Sequence, residues 1–309
     1  MLARLYRRLR YAPFLSQIVV TRRCNLACAY CREFDHVSEP VSAEVLRARI
    51  DKVAELGSFG MELTGGEPLL HPDLVALVRY AVRHRFVLLG VITNGLLLSE
   101  RIINELNAAG LGELQVSVDG VHANALTKKT LDNVRPRLEQ LARLAKFKVI
   151  LSAVLGAGVP REEIETVIRF ARDHGFRPRV LVAHGADGQI AGGGDGLRPY
   201  SQAARRIGRF RRDPIRYRER LLERGESPFR CRAGSRYLYI DPAGVVHWCA
   251  STVERFGIPL SAYTVDDLSR QFSTWKPCNA RCTIGCARSC SLVDRWFPQR
   301  GENAGAAHG

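Results

Sequence analysis

Three cysteines fall within eight residues, Cys24-Asn25-Leu26-Ala27-Cys28-Ala29-Tyr30-Cys31. Thiolates are soft ligands, and three on one loop can take three corners of an iron–sulfur cube. The fourth iron then stays open, and an open metal position is where a substrate or cofactor can bind. A three-thiolate zinc site completed by His36 is the alternative. A second group, Cys231, Cys249, Cys278, Cys282, Cys286 and Cys290, lies near the other end, its last four members each separated by three residues. Fourfold spacing suits one apolar helix face, and four cysteines suit a structural zinc. Six cysteines in about sixty residues point first to metal ligation. The total of nine is odd, which argues against a closed disulfide framework. In a reducing compartment clustered cysteines more often bind metal.

Three shorter motifs and two single residues accompany the first cysteine group. Thr64-Gly65-Gly66-Glu67-Pro68 pairs two glycines, which let backbone approach a ligand, with a carboxylate that can accept from an ammonium. Thr93-Asn94-Gly95 and Ser117-Val118-Asp119-Gly120 follow, then Ser152 and His184. Each alone reads as a turn.

The elements that position these residues alternate. Strands are expected at 17–21, 61–64, 86–93, 113–118, 147–155 and 179–183. Helices are expected at 42–56, 73–84, 99–109, 130–145 and 161–174, the fourth interrupted or kinked at Pro136. Strands alternating with helices imply crossover units and a parallel sheet. Six units suit an α/β partial barrel, whereas eight close a full one. The cysteine loop and the three Gly-containing motifs then fall at the C-terminal ends of successive strands, the face where parallel barrels build their sites.

The expected organisation is a basic amphipathic segment at 1–14, the barrel at 15–185, a Gly-rich loop and Arg-rich helical connection at 186–230, a cysteine-rich module at 231–298 and a tail at 299–309. In the first segment Leu2, Leu5, Tyr6 and Leu9 share a face that packs on the body of the domain or lies on a membrane surface. Six glycines between Gly185 and Gly196 lack the ending of a phosphate loop and read as a linker or lid. The module opens with a hairpin around Asp241-Pro242-Ala243-Gly244.

Composition narrows the class. The chain has 309 residues, 46% apolar and 25% charged, an ordinary globular mix; it shows no transmembrane run and no stretch that reads as a secretory signal, so secretion is disfavoured and a cytoplasmic location is the expectation. The net charge is +15, and residues 198–236 hold 13 Arg against four acids. Such a balance favours an anionic partner, although Arg accounts for all but six of the 46 basic residues and heavy Arg use also reflects genomic composition.

The combination of Cys24-x3-Cys28-x2-Cys31, an aromatic before the last cysteine, and Gly-Gly-Glu-Pro one unit later resembles the radical S-adenosylmethionine (SAM) superfamily. The resemblance covers residues 15–185 and implies a partial six-unit barrel. It implies that Cys24, Cys28 and Cys31 hold a 4Fe–4S cluster whose open iron chelates SAM. It further implies that Gly65, Gly66 and Glu67 contact the methionyl amine, that Ser117 and Asp119 lie near the ribose, and that Tyr30 lies near the adenine. Thr93 and Asn94 are weaker candidates for the same cavity. The implied chemistry is reductive cleavage of SAM to a 5′-deoxyadenosyl radical, which abstracts hydrogen from a peptide, a lipid or sugar intermediate, or a cofactor precursor. A reducing donor such as flavodoxin or ferredoxin is the implied partner.

Cys231-x12-Gly244-x4-Cys249 resembles the opening of SPASM and twitch extensions, which hold auxiliary iron–sulfur clusters. The later quartet departs from the usual spacing. After three cysteines for the SAM cluster, six remain, enough for one fully thiolate-ligated auxiliary cluster or for two with open positions. The expected ligands are Cys231, Cys249, Cys278, Cys282, Cys286 and Cys290. His122, in Val121-His122-Ala123-Asn124, reads as a surface or hinge histidine. Tyr200, Tyr237, Tyr239 and Tyr263 are open candidates for a radical relay. Two other classes compete: a non-catalytic zinc or iron–sulfur protein that binds nucleic acid, and a cluster-assembly scaffold. The basic stretch has few interleaved aromatics for stacking, and no familiar finger spacing fits, which argues against nucleic acid.

Overall fold

The structure is a computed structural model that describes residues 2–31, 34–155, 158–182, 227 and 229–296. His184, the Gly-rich stretch, Tyr200, most of the Arg-rich stretch and the tail lie outside the described residues. Among the described residues six strands alternate with five helices as predicted: β1 (Leu15–Thr21), α2 (Ala43–Glu55), β2 (Gly60–Gly65), α3 (Leu74–Val82), β3 (Leu88–Thr93), α4 (Glu100–Ala109), β4 (Glu113–Ser117), α5 (Leu131–Leu144), β5 (Lys148–Leu155), α6 (Arg161–Asp173) and β6 (Arg177–Val182). An N-terminal helix, α1 (Leu2–Tyr11), precedes them.

The strands pair in parallel and in sequence order, β6-β5-β4-β3-β2-β1. That is the six-unit partial barrel. Side chains on one face of each strand are aliphatic: Ile18 and Val20 on β1, Leu63 on β2, Val91 on β3 and Val116 on β4 join the buried faces of the helices in one core. Each such buried side chain contributes roughly 1.5–3 kcal/mol of transfer free energy.

Local signals set the helix ends. Ser42 and Ser99 accept from Val45 N and Ile102 N and cap α2 and α4, and Gly110 ends α4 in the left-handed conformation at φ 84°. Of the interruption or kink expected at Pro136, the interruption does not occur, since α5 runs from Leu131 to Leu144 through it. Proline costs one backbone bond there, but Val134, Leu138 and Leu141 are buried on the sheet and hold the helix together.

The cysteine-rich segment continues the same sheet. β7 (Tyr237–Ile240) lies parallel to β1, and β8 (Val245–His247) and β9 (Ile258–Pro259) follow antiparallel. The Asp241–Gly244 turn is the expected hairpin, with Gly244 at φ 83°. Helices α7 (Val265–Ser273) and α8 (Gly285–Ser291) complete the described segment. A second buried cluster joins Val19, Tyr237 and Tyr239 to Cys231, Cys249, Ala287 and Cys290, with Cys286 packed at its edge. Alternation therefore puts the cysteine segment on the β1 and β7 face opposite the helices.

Helix α1 packs against α7. Tyr6 and Leu9 are 61% and 69% exposed. Arg7 pairs with Asp266 at 2.7 Å, Arg8 Nη2 donates to Ala54 O at 3.1 Å, and the Tyr11 ring packs on Phe272 with centroids 5.3 Å apart. Among the described residues no helix is long and apolar enough to cross a membrane.

Candidate functional site

The cysteine loop leaves the end of β1 and is fastened to the ends of β2, β3 and β4. Backbone bonds run from Gly66 N to Thr21 O and from Glu67 N to Arg23 O, both 2.9 Å. The two glycines make this approach possible. A Cβ at Gly65 would stand 2.2 Å from Thr21 O, and one at Gly66 would stand 2.3 Å from Arg22 O. The requirement is steric, because backbone passes backbone with no room for a methyl group.

Glu67 is fully buried, and its carboxylate accepts from Leu69 N (3.0 Å), Thr93 Oγ1 (2.7 Å) and Asn94 N (2.7 Å). Burial pushes its pKa up against these three donors. These partners give Glu67 and Thr93 the work of fastening the Gly-Gly loop to β3. Asn94 reaches the other way: Nδ2 donates to Asn25 Oδ1 at 2.7 Å and to Cys24 Sγ at 3.9 Å. His36 directs Nδ1 to Cys24 O at 2.9 Å.

The segment after β4 closes the other side. Asp119 is completely buried, and its Oδ2 accepts from Tyr30 OH and from Thr127 Oγ1 (2.7 Å), with Lys129 Nζ at 3.6 Å. Thr127 Oγ1 also lies 3.8 Å from Cys28 Sγ, and Lys129 Nζ stands 4.9 Å from the Tyr30 ring centroid. Burial opposes the Lys129 charge, but Asp119 and Tyr30 outweigh it and raise the pKa of the ammonium. Burial, assisted by Asp119, also raises that of Tyr30, which stays a phenol. Three groups are left without partners: Asp119 Oδ1, Thr130 Oγ1 and Ser152 Oγ are buried and make no hydrogen bond. Ser152 pairs in register with Ser117 across β4 and β5.

Nine sequence-marked residues thus meet at one end of the barrel: Cys24, Cys28, Tyr30, Gly65, Gly66, Glu67, Thr93, Asn94 and Asp119. Electrostatic coupling of Cys31 to Cys24 adds a tenth. Ser117 is at the same strand end. Lys129 and Thr127 were not selected from sequence. Their signal is faint: two residues after a turn, in a segment with no periodicity. His122 is a surface residue, pairing with Asp132 at 2.7 Å with its side chain 71% exposed.

The six later cysteines share one neighbourhood, in which Cys290 packs with Cys231 and Cys249 and is coupled to both Cys286 and Cys231. The sulfurs of Cys231, Cys249, Cys278 and Cys282 act electrostatically on one another. Asn279 draws their segments together, accepting from Cys231 N at 2.7 Å and donating to Phe229 O at 2.8 Å. Burial raises the thiol pKa of Cys231 and Cys282 and pushes that of Cys249 up to about 12. Free of metal these thiols stay protonated, so ligation must release protons. Cys286 faces a polar layer. Gln17 Nε2 and Arg179 Nη2 each lie 3.8 Å from Cys286 Sγ. Gln17 also donates to Glu62 at 2.7 Å and accepts from Tyr237 OH, while Arg179 donates to Gln115 at 2.7 Å. This polar layer borders a cavity of about 90 Å³ at the end where the strands begin, lined by Leu15, Glu62, Leu89, Arg179, Cys286 and Cys290 among others.

Residues 18–171 match the Radical SAM superfamily. The chain belongs to the radical SAM superfamily. It is 30% identical over 172 residues to GTP 3′,8-cyclase of Chlorobaculum tepidum, covering 53% of this chain and 52% of that one. It is 39% identical over 129 residues to the AdoMet-dependent heme synthase of Methanosarcina barkeri, covering 40% and 35%. The chain spans about half or less of the length of these curated relatives. In fold it is similar to Streptococcus suis SuiB bound to precursor peptide SuiA, with a TM-score of 0.66, 16% identity, and coverage of 87% of this chain and 66% of that one.

Membership of the radical SAM superfamily implies a 4Fe–4S cluster and SAM, and the strand-end site suits both. Three soft ligands share one loop, glycine backbone is packed close by, the largely buried Lys129 ammonium lies at the same end, and Asp119 Oδ1, Thr130 Oγ1 and Ser152 Oγ are buried oxygens without partners. Among the described residues no group of three or more His, Cys, Asp or Glu side chains is arranged to hold a single metal ion. A cube differs in giving each thiolate its own iron.

Proposed function

We propose that this chain is a radical SAM enzyme that cleaves SAM reductively and uses the resulting carbon radical to take hydrogen from a peptide or an anionic cofactor precursor. The observation that carries the reading is the convergence of the cysteine loop, the Gly-Gly loop and Asp119 at one end of the barrel, closed by bonds among Asn94, Glu67, Thr127 and Tyr30. Cys24, Cys28 and Cys31 hold the cluster. Bound there, the cluster supplies the electron that breaks the sulfonium C–S bond. The Gly65–Gly66 backbone faces the methionyl amine, with Glu67 fixing the loop. Asp119 Oδ1, Ser117 and Ser152 take the ribose hydroxyls, and Tyr30, tied to Asp119, flanks the nucleoside.

Lys129 supplies the positive charge for the SAM carboxylate. A charge-assisted bond of this kind is worth about 1.5–3 kcal/mol. Lys129→Met is therefore expected to weaken equilibrium SAM binding roughly 10- to 150-fold, while Lys128→Met leaves it unchanged. Calorimetry of the reconstituted protein checks this, and equal affinities would remove Lys129 from the site.

We further propose one auxiliary cluster on Cys231, Cys249, Cys278 and Cys282, in the manner of a twitch extension, with Cys286 and Cys290 outside its ligand set. Alanine at any of the four should lower reconstituted iron by about half. Alanine at Cys286 or Cys290 should leave iron content at the wild-type level. Iron lost equally from all six variants would support two clusters instead. A peptide substrate is supported by the fold shared with a protein solved on its precursor peptide, and an anionic small molecule by the +15 charge and the similarity to GTP 3′,8-cyclase.

A further inference from the structure

Apolar side chains lie open at the end of the barrel where the strands begin, opposite the cysteine loop. Phe59 precedes β2, Val82 ends α3, and Val87 and Leu88 lead into β3; all four are exposed. Phe59, Val87 and Leu88 are neighbours: Val87 N donates to Phe59 O at 3.0 Å, and a Cβ at Gly60 would stand 2.9 Å from Leu88 Cβ. Helix α1 lies beside them, since Arg8 reaches Ala54 O and its Nε would stand 3.3 Å from a Cβ at Gly57, two residues before Phe59. Tyr6 and Leu9 of that helix are exposed as well. The six turns that lead from a helix into β1 to β6, taken with each strand's first residue, carry Arg83, Arg85, Lys146, Lys148 and Arg177 against one acid, Glu113. Those five cations are exposed and form no ion pair among the described residues. In the last helical turns before them Lys52, Arg79, Arg143 and Arg172 outnumber Glu55 and Asp173.

We propose that this face docks on an anionic lipid membrane, with Phe59, Val87 and Leu88 entering the headgroup layer, Tyr6 and Leu9 of α1 beside them, and the unpaired cations meeting lipid phosphates. A contiguous exposed apolar patch ringed by polar groups marks an interaction surface. Its charge selects the partner, since each Lys or Arg close to an anionic bilayer gains roughly fivefold in affinity. A nucleic acid would use the cations but gain nothing from exposed Val87 and Leu88. Helix α1 repeats the same chemistry: residues 1–32 contain no acid, and a basic helix with an exposed apolar edge is the composition that settles in a bilayer interface. The SAM site lies at the opposite end of the barrel, so docking leaves it clear. The competing role for the cations is to complement helix C-termini. That effect fades within the last turn and accounts neither for Lys148 and Arg177, which stand in strands, nor for the open apolar side chains.

Vesicle flotation of the full chain tests the proposal, with vesicles of phosphatidylcholine alone or of phosphatidylcholine mixed with phosphatidylglycerol. The expected result is binding to the mixed vesicles at low salt, little binding to the neutral ones, and release as salt rises. Lys146→Gln combined with Lys148→Gln should weaken binding roughly 25-fold, the product of two such charges. Val87→Glu and Leu9→Glu should each weaken it about tenfold or more, through lost insertion and added repulsion. Val87 is 67% exposed and Leu9 is no less open, so neither substitution disturbs packing. Val37→Glu is the control: Val37 is 79% exposed but lies beside the cysteine loop, next to His36, at the other end of the barrel. It should bind as the parent does. No binding to the mixed vesicles at low salt would overturn the proposal, as would equal weakening by Val37→Glu and Val87→Glu. Binding that falls with the two lysines but is indifferent to Val87→Glu and Leu9→Glu would also overturn it, and would make a soluble polyanion such as an acidic protein the partner of this face.

Discussion

Gly66→Ala is expected to abolish SAM binding and to lower the melting temperature by roughly 6–12 °C. The added methyl carbon would stand 2.3 Å from Arg22 O and 2.5 Å from Arg23 O, well inside contact distance. Both obstacles are backbone, so no rotamer change relieves them. The β2 loop must part from the cysteine loop, and the bonds from Gly66 N to Thr21 O and from Glu67 N to Arg23 O go with it. Overpacking of this severity costs about 3 kcal/mol or more, and a chain of this size loses roughly 2–4 °C per kcal/mol. Gly175→Ala is the matched control. That glycine also has positive φ, 72°, but nothing lies within 4 Å of its added Cβ, so only conformational strain of about 1 kcal/mol remains. Thermal unfolding and SAM titration of the two variants check the difference. A Gly66→Ala protein that binds SAM normally would mean that the loops do not meet as described.

Asp119→Ala should be nearly as damaging, for an electrostatic reason. One carboxylate oxygen serves Tyr30, Thr127 and Lys129 together. Removing it leaves a buried ammonium uncompensated and two hydroxyls without their acceptor. Breaking a buried pair from one side costs about 3–5 kcal/mol. The expected melting shift is roughly 6–20 °C, and SAM affinity should fall with it. Asp119→Asn keeps an acceptor oxygen and should recover part of the stability but little of the affinity. Thermal unfolding of the two variants separates charge from hydrogen bonding. A stable Asp119→Ala protein would show that Lys129 finds its charge partner elsewhere.

The barrel was legible because its signals are local. Aliphatic residues alternate in the strands, serine caps open α2 and α4, and glycine closes α4. The site was legible because its motifs sit where strands end, and parallel topology brings strand ends together. What escaped sequence reading depends on chain paths rather than on motifs. Lys129 reaches the site through an irregular segment, and adjacency to Lys128 hides which of the two turns inward. Gln17, Glu62, Gln115 and Arg179 form one polar layer, yet each looks like a stray polar residue within its own strand. Only pairing in the sheet brings them together. The approach of Cys286 to that layer is likewise invisible in the spacing of the six cysteines, because only the sheet brings Gln17 and Arg179 together beside it. For α1, periodicity marks Tyr6 and Leu9 for burial, yet both are exposed, while Arg7 and Arg8 find partners on α7 and α2.

The most direct test of the central claim is anaerobic. The protein is reconstituted with iron and sulfide, reduced with dithionite, supplied with SAM, and assayed for 5′-deoxyadenosine by mass spectrometry. The account predicts product from the wild-type chain and none from Cys28→Ala, whose loss opens the strand-end cluster while leaving the auxiliary cysteines intact. Product of equal yield from both proteins, or a wild-type chain that loads its clusters and binds SAM yet never cleaves it, would contradict the assignment of radical chemistry to this site.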